Sequence, residues 1–144
     1  MSLPLGTQNL REIQRYADPC DRLTKLSTLL EFVFRQLHGQ AAMYDGSITF
    51  REFIEMHRER LVDPDGVLQA REVRNGIAHA LTIEGLTEEG VLQAAKTMEW
   101  AVKEVLLHCT PDIQKAIMGL STAEGIPFVN SQKRSRNRRN GARK

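Results

Sequence analysis

Apolar residues return every three or four positions along most of this chain, which is the period of helices that bury one face. In "NLREIQRYA", Leu10, Ile13 and Ala17 fall on one stripe. Asp18 and Pro19 then supply a cap and a first helical residue for a long second helix, because an aspartate can accept an otherwise unpaired N–H and proline at that position loses no bond. Leu23, Leu26, Leu30, Val33 and Leu37 line that helix, and Gly39 stops it. "AAMYDGSI" reads as a turn, with Ser47 or Thr49 as the next cap. A third helix carries Phe50, Phe53, Ile54 and Leu61. Asp63 and Pro64 open a fourth, striped by Val67, Ala70, Val73, Ile77 and Leu81. "TIEGL" is a loop, and Thr87 caps a long fifth helix with Val91, Ala95, Met98, Val102, Val105 and Cys109 in 4-3 spacing. Thr110 and Pro111 start a short sixth helix through Ile113, Ile117 and Leu120. After "GIPF" the chain turns polar and basic.

The pattern therefore predicts an all-α antiparallel bundle of five to six helices over residues 1–124, followed by a basic C-terminal tail over 125–144. Short connections favour antiparallel neighbours. The two long stripes each run under three heptads, which suits a bundle core better than a coiled coil. A length of 144 residues suits one domain, and no apolar run approaches the ~20 residues that span a bilayer. No charged segment precedes an apolar stretch at the N-terminus, so no signal peptide is expected. The two cysteines, Cys20 and Cys109, sit on separate predicted helices, where a lone cysteine behaves as a small buried hydrophobe. A cytoplasmic, reducing location is expected, with no membrane partner.

Charge changes the picture at one end. The net charge of +2 hides a tail in which Lys133, Arg134, Arg136, Arg138, Arg139, Arg143 and Lys144 stand with no acidic residue. Without those seven, 13 basic residues face 18 acidic ones. A block of like charge repels itself and stays extended. It suits a polyanion such as RNA, or serves equally as a solubilising or targeting tail.

The segment "REVRNGIAHA", residues 71–80, is the candidate for chemistry. Arginine followed by histidine after four to six residues occurs twice here, at Arg74/His79 and at Arg51/His57, so spacing by itself decides nothing. The intervening residues differ. Asn75 and His79 stand at i and i+4, on one helical face. Gly76 sits in mid-helix, where it costs roughly 1 kcal/mol relative to alanine, and this is rationalised by a kink or a close approach. Ala78 and Ala80 keep the surroundings of the histidine open, whereas "REFIEMH" is bulky and reads as an ordinary amphipathic turn. Arg74 and His79 lie about 140° apart around a straight helix and do not converge within one chain. The plain alternative is a hydrogen-bonded pair on a helix surface.

An all-helical chain of this size with "RNGIAH" resembles the HEPN superfamily, whose hallmark is an arginine, a polar residue, a few further residues and a histidine. The resemblance places Arg74, Asn75 and His79 on that motif and spans residues 8–120, leaving the tail outside. It implies a metal-independent endoribonuclease acting as a homodimer, in which two motifs share one cleft, within a toxin or defence module that a neutralising antitoxin could accompany. It implies equally a non-catalytic subunit that binds a nucleotide or a protein partner. The residue types fit the first role. Histidine exchanges protons near neutrality, arginine presents a fork to phosphate oxygens, and Asn75 can orient either. A two-fold dimer would supply two His79 and two Arg74 to one cleft. No Cys, His, Asp and Glu cluster at metal-ligand spacing, and no glycine-rich phosphate loop or nucleophile elbow occurs, so no cofactor is expected.

Each tail cation that neutralises a phosphate releases counterions and steepens the dependence of binding on salt. Deleting residues 131–144 should weaken RNA binding at low salt and flatten the slope of log K against log salt, with the helical circular-dichroism signal unchanged. An unchanged slope would assign the tail another role.

Overall fold

A computed structural model of the chain describes residue 3 and residues 6–39, 46–78 and 87–120. His79, Ala80, Leu81, the "TIEGL" loop, most of the "AAMYDGSI" turn and the whole basic tail lie outside them. Six α-helices occur among the described residues, and no strand. They are α1 (Leu10–Ile13), α2 (Pro19–His38), α3 (Phe50–Met56), α4 (Pro64–Ala78), α5 (Glu88–Leu106) and α6 (Pro111–Met118), with a single 3₁₀ turn at Arg58–Arg60 between α3 and α4. None is long and apolar enough to cross a membrane.

Side chains that cap the free N–H groups of a first turn set where these helices begin. Asn9 and Glu12 form a reciprocal capping box at α1. Asp18 accepts from the Cys20 N–H at 2.9 Å and Pro19 follows it. Thr49, and not Ser47, caps α3, accepting from the Glu52 N–H at 3.1 Å while Glu52 reaches back to the Thr49 N–H at 3.0 Å. Asp63 accepts from the Gly66 N–H at 3.0 Å at the head of α4, and Thr87 accepts from the Gly90 N–H at 3.0 Å at the head of α5. Gly119, at φ 74°, closes α6 in the left-handed conformation that glycine adopts without penalty.

Helices α2 and α5 share the largest interface, and α4 lies along both. The fully buried residues Leu23, Leu26, Leu30 and Val33 of α2 and Met98, Val102 and Val105 of α5 belong to one continuous core. The Val62 N–H donates to Glu104 Oε1 at 3.1 Å, tying the start of α4 to the far end of α5. Helix α4 packs along α5 from that point, so the two run antiparallel. The short α1 packs against both α2 and α6.

Three helix ends depart from the apolar stripes. Ala17 is exposed and lies beyond α1, which ends at Ile13. Leu61 is buried, yet α3 stops at Met56 and a 3₁₀ turn carries the chain to it. Cys109 lies past the end of α5 at Leu106, and its carbonyl accepts from Gln114 Nε2 at 3.0 Å. Leu61 and Cys109 join the core from outside a helix, which period counting cannot distinguish from one more helical turn, whereas Ala17 takes no part in the core.

Leu30 is fully buried in the α2 face, whereas Val62 is 86% exposed. Leu30→Ala should cost about 2–5 kcal/mol in urea unfolding, as cavity-forming core substitutions do, while Val62→Ala should change stability by less than ~0.5 kcal/mol.

Candidate functional site

Arg74 and Asn75 lie in the last turns of α4, both half-buried. Arg74 Nη1 donates to Asn75 Oδ1 at 3.4 Å, a long bond. Its Nε is buried and has no hydrogen-bond partner. Arg22 Nε and Gln114 Oε1 are the other described side-chain atoms in that condition. Arg74 is therefore not a solvated surface cation. Gly76 is buried and the helix runs through it to Ala78. His79 lies outside the described residues, and so does its geometry relative to Arg74.

One turn before Arg74, Arg71 reaches across to two other elements. Its Nη1 donates to the buried Ser27 Oγ of α2 at 2.9 Å. Its guanidinium carbon sits 4.9 Å from the Phe50 ring centroid of α3, within range of a cation–π contact. Burial first, and the neighbouring Arg74 charge second, lower its pKa from the ordinary arginine value. No carboxylate among the described residues forms an ion pair with either arginine, and Glu31, the nearest opposing charge on α2, pairs with Arg35 at 3.1 Å. Arg71 was visible in the sequence as a residue at i−3 to Arg74. Ser27 and Phe50, which hold it, come from segments that give no sign of that role.

The Arg51/His57 pair behaves differently from an ordinary amphipathic turn. Arg51 is exposed, but His57 is only 5% exposed and stacks on Phe34 with ring centroids 5.3 Å apart. Arg60 Nη1 lies 2.9 Å from His57 Nδ1, and His57 Nε2 lies 2.8 Å from His38 Nε2. Arginine has only donors, so Nδ1 is the acceptor and the neutral ring carries its proton on Nε2. That N–H donates to His38, which accepts through Nε2. The order Arg60 to His57 to His38 thus fixes both tautomers. Burial first, then His38 and Arg60, push the His57 pKa down to about 4. His108 is also lowered, by partial burial and by Arg60. Among the described residues no group of three or more His, Cys, Asp and Glu comes together.

A separate open groove of about 390 Å³ lies between the start of α4 and α5. Val62, Val67 and Trp100 line it with Asp63 and Glu104, and Trp100 is 64% exposed. The Lys103 ammonium lies over the Trp100 ring, 5.6 Å from its centroid.

No protein-family model, curated protein or solved structure matches this chain.

His57 is neutral in the folded state, while the unfolded chain takes up a proton near the ordinary value of 6.5. Its contribution to stability is thus complete above pH 6.5 and is lost as pH falls toward about 4. Urea unfolding at pH 7, 5.5 and 4.5 should show a fall in wild-type stability over that window that is shallower in His57→Gln. Parallel curves would remove His57 as the cause.

Proposed function

We propose that this chain is a HEPN-like endoribonuclease that cleaves RNA without a metal, through a site shared by two copies of the chain. The observation that carries this reading is Arg74: a half-buried guanidinium beside Asn75, with an unpartnered buried Nε and no ion-paired carboxylate among the described residues. A buried donor left unpaired costs ~1–3 kcal/mol, so the fold holds this guanidinium at a cost, and in this reading its terminal nitrogens reach the phosphate oxygen. The charge of arginine persists at every working pH, so it can stabilise the extra negative charge that develops on phosphorus during displacement.

In the proposed reaction His79 of one copy takes the proton of a ribose 2′-OH. The 2′-oxygen then bonds to phosphorus, and the bond from phosphorus to the 5′-oxygen breaks. His79 of the second copy donates a proton to that leaving oxygen. The products are a 2′,3′-cyclic phosphate and a 5′-hydroxyl. Arg74 holds a non-bridging oxygen, and Asn75 positions the guanidinium through its side-chain oxygen. Gly76 is enclosed within its own chain, so the approach between copies is assigned to the Arg74 and Asn75 flank of α4. The basic tail, from Lys133 to Lys144, adds attraction for RNA without selecting a sequence.

A second reading is a non-catalytic subunit of the same architecture that binds a nucleotide or a protein partner. The exposed Trp100 and Val62 at an open groove favour it, because an accessible tryptophan supplies large contact area to a partner.

Purified protein incubated with mixed RNA in EDTA should generate cyclic-phosphate ends. Arg74→Ala should reduce the rate by ~10²–10³-fold and His79→Ala by ~10²–10⁴-fold, with Asn75→Ala milder and Arg51→Ala neutral. His57 is unsuitable as a neutral control because it is buried. A 2′-deoxy substitution at the scissile nucleotide should abolish cleavage. A folded wild type that leaves diverse RNAs intact would hand the assignment to the binding-subunit reading.

A further inference from the structure

Two guanidiniums on successive turns of α4 stand half-buried within repulsive range of each other. Salt bridges account for the arginines at positions 35 and 58, which pair with Glu31 and Glu55 at 3.1 and 3.0 Å. No such partner stands beside Arg71 or Arg74 among the described residues. Arg71 is held on two sides: the Phe50 ring lies under its guanidinium plane and the Ser27 hydroxyl takes one of its N–H groups. An arginine has five N–H donors in a rigid fork, of which the Ser27 hydroxyl takes one. Arg71, Arg74 and Asn75 occupy an arc of roughly 100° at 100° per residue along the helix. Their free donors thus share one flank of α4 beside α2. Like charges placed together out of water cost free energy unless an anion is shared between them.

We infer that Arg71 is a second phosphate-binding residue, which with Arg74 forms a two-arginine clamp for adjacent phosphodiesters of a bound RNA strand. This rests on the proposed RNA substrate but not on cleavage. Arg71, fixed by Phe50 and Ser27, is the rigid half and sets where the strand lies. Arg74, whose Nε lacks any partner, engages the phosphate at the reacting position. Arg71 touches the neighbouring phosphate and takes no part in bond breaking. The opposing account is a packing role alone, in which Arg71 rivets α4 to α2 and α3.

The test is binding of a fluorescein-labelled 2′-O-methyl oligoribonucleotide, which cannot be cleaved, to the full chain across a salt series. Arg71→Met keeps the stem that covers Phe50 and removes every donor. It should weaken binding tenfold or more, since a charge-assisted bond contributes ~1.5–3 kcal/mol, and should lower the salt slope by about 0.7, the value for one contact to a single strand. Arg71→Lys keeps the charge without the fork and should fall between the two. If Arg71→Met is folded and binds as wild type does, the clamp is overturned and the cleavage reading stands. If Arg71→Met fails to fold, Arg71→Lys decides: binding equal to wild type with an unchanged slope overturns the clamp. If both variants lose affinity while wild type leaves RNA uncut in EDTA, the clamp stands and the cleavage reading falls. No oligonucleotide binding by wild type at any salt overturns both.

Discussion

The contacts of Phe34 hold the working end of this fold together. Its ring is fully buried, lies parallel to Phe53 at 5.6 Å, meets Phe50 edge-on at 6.2 Å and stacks on His57 at 5.3 Å. Such pairs contribute ~0.5–1.5 kcal/mol each beyond the area they bury. One side chain of α2 thereby docks all of α3 and the turn that follows. That docking fixes the Phe50 ring, the face on which the Arg71 guanidinium rests. The position of a charged group on α4 is thus set by an aromatic cluster that belongs to other helices.

The same cluster explains why α3 is short. Extending it past Met56 would have to carry His57 round without its present contacts. His57 instead ends the helix, turns its ring onto Phe34, and places its two nitrogens between Arg60 and His38. A buried imidazole with both nitrogens bonded is a satisfied polar group. The price is a proton affinity far below normal, so this corner of the molecule is held by a neutral histidine.

The two arginines of α4 present the opposite condition. Arg71 has a hydroxyl and an aromatic face but no ion-pair partner among the described residues, and Arg74 has one long bond and an unpartnered Nε. A buried polar group left without a partner calls for an explanation in function or strain, and Arg74 shares that condition with Arg22 and Gln114. The helix that bears them is anchored at its head by Asp63 and along its length by α5, so the flank they occupy is held on a rigid element.

The sequence by itself determined the number of long helices, their starts and their buried faces. Caps at Asn9, Asp18, Thr49, Asp63 and Thr87 are local hydrogen bonds, made within three residues of the chain. Stripes such as Leu23, Leu26, Leu30 and Val33 follow from helical periodicity. Helix ends were less legible at Leu61 and Cys109, because an apolar residue reaches the core as well from a turn as from a helix, and at Ala17, a small residue left exposed beyond α1. Spacing matched Arg51/His57 as well as Arg74/His79, and the small residues around the second pair, against the bulky ones of the first, singled out Arg74, Asn75 and His79 in the sequence. The tertiary structure added what the sequence could not show, burying His57 against Phe34 and leaving Arg74 with no ion-pair partner among the described residues. It also joined Arg71 to Ser27, 44 positions away. Partners that distant are chosen by how helices pack, and packing depends on the whole set of buried faces rather than on any local stretch of residues.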